Sequence, residues 1–138
     1  MRRPSKTAVA WLAVLGGTLG LHRFALRGPR DAIGWLHVAA AIVGGAGWWR
    51  LRQEGVDDVA GGVLVLALGA AVVAAMGSAL RHALASDERW TEREGRPTPP
   101  SGGLAIGAAV VAAFVGSTAA IATITFAIQR ALELALAH

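Results

Sequence analysis

Few side chains in this sequence are of a type that does chemistry. Histidines stand at positions 22, 37, 82 and 138, far apart and without the spacing of a metal site. There is no cysteine, which removes disulfides, thiolate nucleophiles and cysteine-based metal centres. No His-Glu-x-x-His, phosphate loop or Gly-x-Ser-x-Gly is present. Glu88, Glu92 and Glu94 alternate with Arg89 and Arg93, the pattern of a solvated face. No catalytic residue, cofactor site or metal site is therefore assigned. Three groups remain. His22, Arg23 and Phe24 follow Gly17 and Gly20 where an apolar run stops. His22 and Arg23 can contact a lipid headgroup or a partner, the arginine holding phosphate through paired hydrogen bonds, or they can end the helix and snorkel outward. Phe24 is expected to pack across to the next helix. His37 is the one ionisable side chain inside an apolar segment, a functional candidate by position alone. Its alternative is a neutral imidazole bonded to a neighbouring helix. With no second titratable group expected at its depth, a proton relay is not. Thr118, Thr125 and Gln129 are spaced seven and four apart, so they share a helix face. They line a polar path, or the hydroxyls bond their own backbone four residues back.

The elements that must position these residues read as membrane helices. Hydrophobic residues make up 54% of the chain and charged ones 16%, against about 25% in soluble domains. Blocks 59–80 and 104–128 carry no charge on any face, and a water-soluble helix needs a polar one. At ~1.5 Å per residue each block is long enough for a ~30 Å hydrocarbon core. The net charge is +4, but the basic residues flank apolar segments, where they anchor and orient rather than bind nucleic acid.

In order, Arg2, Arg3 and Lys6 precede a first segment over 7–21. A basic start with an apolar run also fits a signal peptide, but further apolar segments follow, so retention is expected. Gly16 and Gly20 lie four apart and are expected to share a close-packing helix face. Gly28-Pro29 marks a tight turn into a second segment over 32–49, which makes the two antiparallel neighbours. Trp11 and Trp48-Trp49 then meet one leaflet. A polar connection at 50–58 leads to segment three, where Ala70 and Ala74 give small-residue packing. The connection at 81–101 holds a helix-compatible stretch that Gly95, Pro97, Pro99 and Pro100 stop. Segment four runs from 103 to 128, with helical pattern as far as 136.

The expected fold is an all-α polytopic integral membrane protein. Four transmembrane helices form two antiparallel hairpins, divided into 1–56 and 57–138 and without a convincing internal repeat. In that arrangement 6 Lys and Arg lie on the N-terminal side and 7 on the other, so orientation is undetermined. Its partners are the lipid bilayer and a membrane protein or a second copy, in a cell or inner membrane, with no nucleic acid. The leading function is a membrane accessory or scaffold; the alternative is an oligomeric transporter or channel.

Gly17-Thr18-Leu19-Gly20-Leu21-His22-Arg23-Phe24 resembles the signature that closes the first helix of the two-transmembrane ("TM-two") domain family. Ala32-Ile33 and Gly47-Trp48-Trp49 resemble that family's second helix, and the likeness covers roughly residues 6–52. Ala25 and Arg27 stand where the family has Tyr and Gly. The resemblance implies a helical hairpin and no single activity. It also implies that an acid near the loop neutralises its charge, with Asp31, Asp57 and Asp58 as candidates.

Overall fold

The computed structural model describes residues 4–95 and 97–136, and those residues are helical apart from short connections. The helices are α1 (Lys6–Gly16), α2 (Leu21–Arg27), α3 (Ala32–Glu54), α4 (Val59–Leu84), α5 (Asp87–Glu94) and α6 (Gly103–Leu136). A 3-10 turn, Gly17–Leu19, joins α1 to α2. Helix starts follow from local chemistry. The side chains of Ser5, Asp31, Asp58 and Ser86 accept from the backbone N–H of Ala8, Gly34, Gly61 and Arg89. Each satisfies a donor the helix itself cannot. Gly95, in the left-handed region, ends α5 as a C-cap.

Three helices, α3, α4 and α6, are long and apolar enough to cross a membrane, and the chain is a multi-pass membrane protein by that measure. α1 has eleven residues. At ~1.5 Å per residue it reaches about half of a ~30 Å core.

α4 is the centre of the bundle, and the other long elements run antiparallel to it. Along α1, Lys6 reaches Ala85 and Asp87, while Gly17 lies on Ala75. Along α3, Gly44 lies on Leu68 and Gly47 on Val65. Along α6, Gly116 lies on Met76, Thr123 on Gly69 and Arg130 on Gly62. α1 and α3 therefore point the same way, which corrects the expected antiparallel first hairpin. The reason is local. The helix breaks at Gly17–Leu19 and Gly20 turns left-handed, so α1 stops short and packs on α4 and α6 instead of α3. The tryptophans follow. Trp11 donates from Nε1 to the Leu104 carbonyl and packs beside Ala83. Trp48 lines a groove with Val65. Val65 and Ala83 are far apart on one helix, about 27 Å at ~1.5 Å per residue. The indoles thus mark opposite ends of the bundle, not one leaflet.

The core is made of alanines. Ala13, Ala75, Ala79 and Ala112 meet with Met76, and Ala10, Ala83, Ala108 and Ala109 meet beside them. Small side chains let backbones approach closely, which drives association where lipid is as apolar as the helix. Two packing expectations are corrected. Ala70 and Ala74 are exposed on a groove; the buried face of α4 is Ala71, Ala75 and Ala79, one residue round the helix. Gly16 and Gly20 share no helix face, because α1 ends at Gly16.

The antiparallel arrangement also gathers charge. Lys6, Arg23, Arg27, Arg30, Arg81, Arg89 and Arg93 lie at the end where α4 finishes, and Arg50, Arg52 and Arg130 at the other.

Candidate functional site: a buried histidine row at an arginine–aspartate corner

The chain break after α1 places His22 inside the protein. Gly17 lets the turn settle on Ala75. Gly20, at φ +71°, lets the chain reverse against Gly34, whose carbonyl oxygen would stand 2.5 Å from any Cβ there. Arg23 then reaches Asp31, its Nε and Nη2 donating to Oδ2 and Oδ1 at 2.8 and 2.9 Å. The same carboxylate accepts from Gly34 N–H at 2.8 Å and caps α3. The Arg23 hydrogen bonds hold the Asp31 carboxyl below its ordinary pKa. Of the three acids the family resemblance offered, Asp31 is the one at this loop. Phe24 covers Gly34 and meets Trp35 edge-on, ring centres 5.5 Å apart, and so packs on the next helix as expected.

Behind this corner lies a row of imidazoles. His22 is fully buried, its ring centre 5.5 Å from His37 and 6.3 Å from His82. His82 meets Trp90 of α5 edge-on at 5.4 Å. Both ring nitrogens of His22, and Nδ1 of His37 and of His82, lack a hydrogen-bond partner. Buried polar atoms left so cost about 1–3 kcal/mol each, which makes the row the most polar-hungry place in the bundle. Two expectations change here. His22 does not snorkel, and His37 is not alone at its depth. Sequence distance concealed the cluster, since its members come from α2, α3 and α4. No group of three or more His, Asp or Glu among the described residues is placed to hold a metal ion. His138 lies outside the described residues.

α5 seals this end. Trp90 is buried in an otherwise polar helix. Lys6 Nζ donates to the Ala85 carbonyl and to Asp87 Oδ1 at 2.6 and 2.7 Å, and Asp87 also takes the Ser101 backbone N–H. Hydrogen bonds from Lys6 and then Ser101 push the Asp87 carboxyl down to about 2.

The Arg23–Asp31 corner occurs twice. Arg50 Nε and Nη2 donate to Asp58 Oδ2 and Oδ1, again at 2.8 and 2.9 Å, and Asp58 caps α4 through Gly61 N–H. Gly28 and Gly55, at φ +83° and +96°, turn the two connections. A Cβ on Gly47 would meet the Gly61 carbonyl oxygen, as one on Gly20 would meet that of Gly34. The pattern Gly-x2-Gly-x2-Arg-x4-Gly-x2-Asp-x2-Gly fits residues 17–34 and again 44–61. This repeat relates the connections at the two ends of α3, not the halves 1–56 and 57–138. Its signal was in the sequence, at a fixed offset of 27 positions, but in glycines and charges rather than in the apolar segments.

The candidates on α6 share a face, but it is turned outward. Thr118, Thr125 and Gln129 are all exposed on the outer face. Thr118 Oγ1 donates to the Phe114 carbonyl four residues back, and Gln129 pairs with Glu133. Thr123 is the α6 threonine that packs inward, on Gly69. Within one chain these residues line no polar path.

No protein-family model, curated protein or solved structure matches this chain.

Proposed function

We propose that the chain is a non-enzymatic accessory or scaffold protein of a cell or inner membrane, built to pack against another membrane-embedded chain. The observation that carries this is a pair of apolar grooves left open between the spans. One, of about 400 Å³, is lined by Trp48, Val65, Leu66, Val72, Ala122 and Phe126. The other, of about 410 Å³, is lined by Ile33, Leu36, His37, Ala40, Ala70 and Ala74. Their walls are held by the two Arg–Asp corners, one at each end of α3. Rigid walls and small-residue floors suit close helix docking. Crosslinking in native membranes followed by affinity capture tests the proposal, and recovery of monomer alone counts against it.

The finer topology belongs to the same proposal. Three helices cross, and α1 with α2 forms a half-depth element at one end rather than a fourth span. Seven described basic residues at that end against three at the other support a cytoplasmic position for it under the positive-inside rule. Membership of the TM-two family is proposed on its signature residues. Gly17, Gly20, His22, Arg23 and Phe24 are the ones that build the first corner.

The row His37–His22–His82 favours a second reading, an oligomeric transporter or channel in which these imidazoles handle protons. It predicts proton flux into liposomes that His37→Ala abolishes; inert vesicles remove it.

A further inference from the structure

We propose that the connection between α2 and α3 is a docking surface for the headgroup of an anionic phospholipid, held by Arg27 and Arg30. The inference does not need the scaffold reading; it needs only that α3 crosses the membrane. α3 has 23 residues, about 35 Å at ~1.5 Å per residue. The connections at its two ends therefore stand at the two headgroup levels of a ~30 Å core.

The repeated corner isolates what is special about the first connection. The backbone is the same in both copies. Asp31 N–H donates to the Gly28 carbonyl at 3.2 Å, and Asp58 N–H to the Gly55 carbonyl at 3.3 Å. Each aspartate is neutralised by its own arginine, so Arg23 is spent on Asp31 and Arg50 on Asp58. What remains is the outer surface of each turn, and there the charge inverts. At the offset of 27 positions, Arg27 stands where the other copy has Glu54, and Arg30 where it has Asp57. All four side chains are exposed. Arg27 and Arg30 form no ion pair among the described residues. One backbone device thus offers two unpaired guanidiniums to one leaflet and two carboxylates to the other. A guanidinium holds phosphate oxygens through paired hydrogen bonds, and an anionic leaflet draws such groups to its surface. The turn is already ordered: Gly28 is at φ +83°, its N–H donates to the Phe24 carbonyl at 2.8 Å, and Pro29 follows. Little freedom is therefore lost when a phosphate docks. A lipid suits the place better than a soluble anion. Trp35 Nε1 donates to the Pro29 carbonyl at 2.7 Å while the residue stays 57% exposed, which sets an interfacial indole beside the two arginines. Ile33 and Leu36, also exposed, continue an apolar surface from it.

The matched glycines report on each turn separately. The full-length chain in phosphatidylcholine bicelles is titrated with phosphatidylglycerol, and the backbone amides of Gly28 and Gly55 are followed by ¹⁵N NMR. The Gly28 amide is expected to shift and saturate while that of Gly55 stays in place. Arg27→Gln with Arg30→Gln should weaken the apparent affinity about fivefold or more, with helicity unchanged because both side chains are exposed. Arg81→Gln with Arg89→Gln removes the same charge from the same end and should change it less than about twofold. Glu54→Arg with Asp57→Arg should make the Gly55 amide respond, a gain that misfolding cannot produce. Equal shifts at the two glycines, an equal loss from the two glutamine pairs, or a silent Gly55 in the charge-inverted variant overturns the proposal. So does an equal Gly28 shift with inorganic phosphate, which would put a soluble anion in place of the lipid.

Discussion

Gly20→Ala should destabilise the bundle more than any other single methyl group added at a glycine of the two corners. Gly20 sits at φ +71°, ψ 14°, a conformation that costs an L-residue about 1–2 kcal/mol. The new Cβ would also lie 2.5 Å from the Gly34 carbonyl oxygen and 2.9 Å from its Cα. Both are backbone atoms, so no rotamer relieves the contact, and overpacking of this kind costs about 1–3 kcal/mol. Together the loss is roughly 2–5 kcal/mol, a large share of the 5–15 kcal/mol by which domains are stable. Three other glycines separate the contributions. Gly28, at φ +83° with nothing within 4 Å, isolates backbone strain, about 1–3 kcal/mol. Gly47 has helical backbone but would meet Val65 N at 2.5 Å and the Gly61 carbonyl at 2.8 Å, isolating the close approach at about 1–3 kcal/mol. Gly45 is helical with open space around it, and Gly45→Ala should stabilise by about 0.5–1 kcal/mol. Helicity followed through reversible SDS titration in mixed micelles gives all four. If Gly20→Ala unfolds no sooner than Gly45→Ala, α2 does not cross α3 at Gly34 and the corner is wrongly drawn.

Asp31→Asn and Asp58→Asn each keep a capping side chain but remove the charge that its arginine binds. Asp31→Asn should lower the melting temperature more, because Arg23 is 20% exposed and Arg50 47%. Equal shifts would mean that burial does not set the strength of these pairs. The Asp87 carboxyl, lowered to about 2, contributes stability that is complete above the ordinary value near 4 and is lost as pH falls through about 2. Its ¹³C NMR titration should therefore have a midpoint well below 4, and a midpoint at 4 would break the Lys6 clasp. Trp90→Ala should free α5, so that limited proteolysis cuts the connection between α4 and α6 while helicity of the spans is kept. An uncut chain would show that the Lys6–Asp87–Ser101 contacts suffice alone. With three spans, Val56→Cys should react with an impermeant maleimide in intact cells, and Ser86→Cys only after permeabilisation. The reverse pattern refutes the orientation.

The spans were legible because apolar length is a local property: segments over 32–49, 59–80 and 103–128 all lie within helices of the structure. α5 and its stop at Gly95 were legible for the same reason. The first segment was not. Its mean composition is that of a span, while its end depends on Gly20 adopting a left-handed turn against Gly34, a contact between residues fourteen apart. Packing faces failed by one position. Gly, Ala and Val cover every side of α4, so the sequence offers no stripe to tell Ala71, Ala75 and Ala79 from Ala70 and Ala74. The histidine row was beyond reach, since spacing along the chain says nothing about three helices that meet at their ends. Orientation was undetermined for the same reason: with α1 parallel to α3, Lys6 leaves the end of Arg50 and Arg130 and joins Arg23, Arg27, Arg30, Arg81, Arg89 and Arg93.

The duplicated corner supplies its own control for what is specialised in this chain. Both copies use the same arginine, aspartate and glycines, with hydrogen bonds of the same length. They differ in the residues between the second glycine and the arginine: Leu21-His22 in one, Trp48-Trp49 in the other. In the second copy those indoles are exposed, as suits the level of the headgroups. In the first, the residue before the arginine is turned inward and becomes the middle of the imidazole row. The corner is thus a structural device, and what it carries varies. A device that fixes both ends of α3 holds the wall of each groove in place, and a fixed wall lowers the entropy a docking helix must overcome. His22 is not needed for that task, because the second corner closes without a histidine. What His22 adds is polarity behind His37, a residue that lines the groove between α3 and α4.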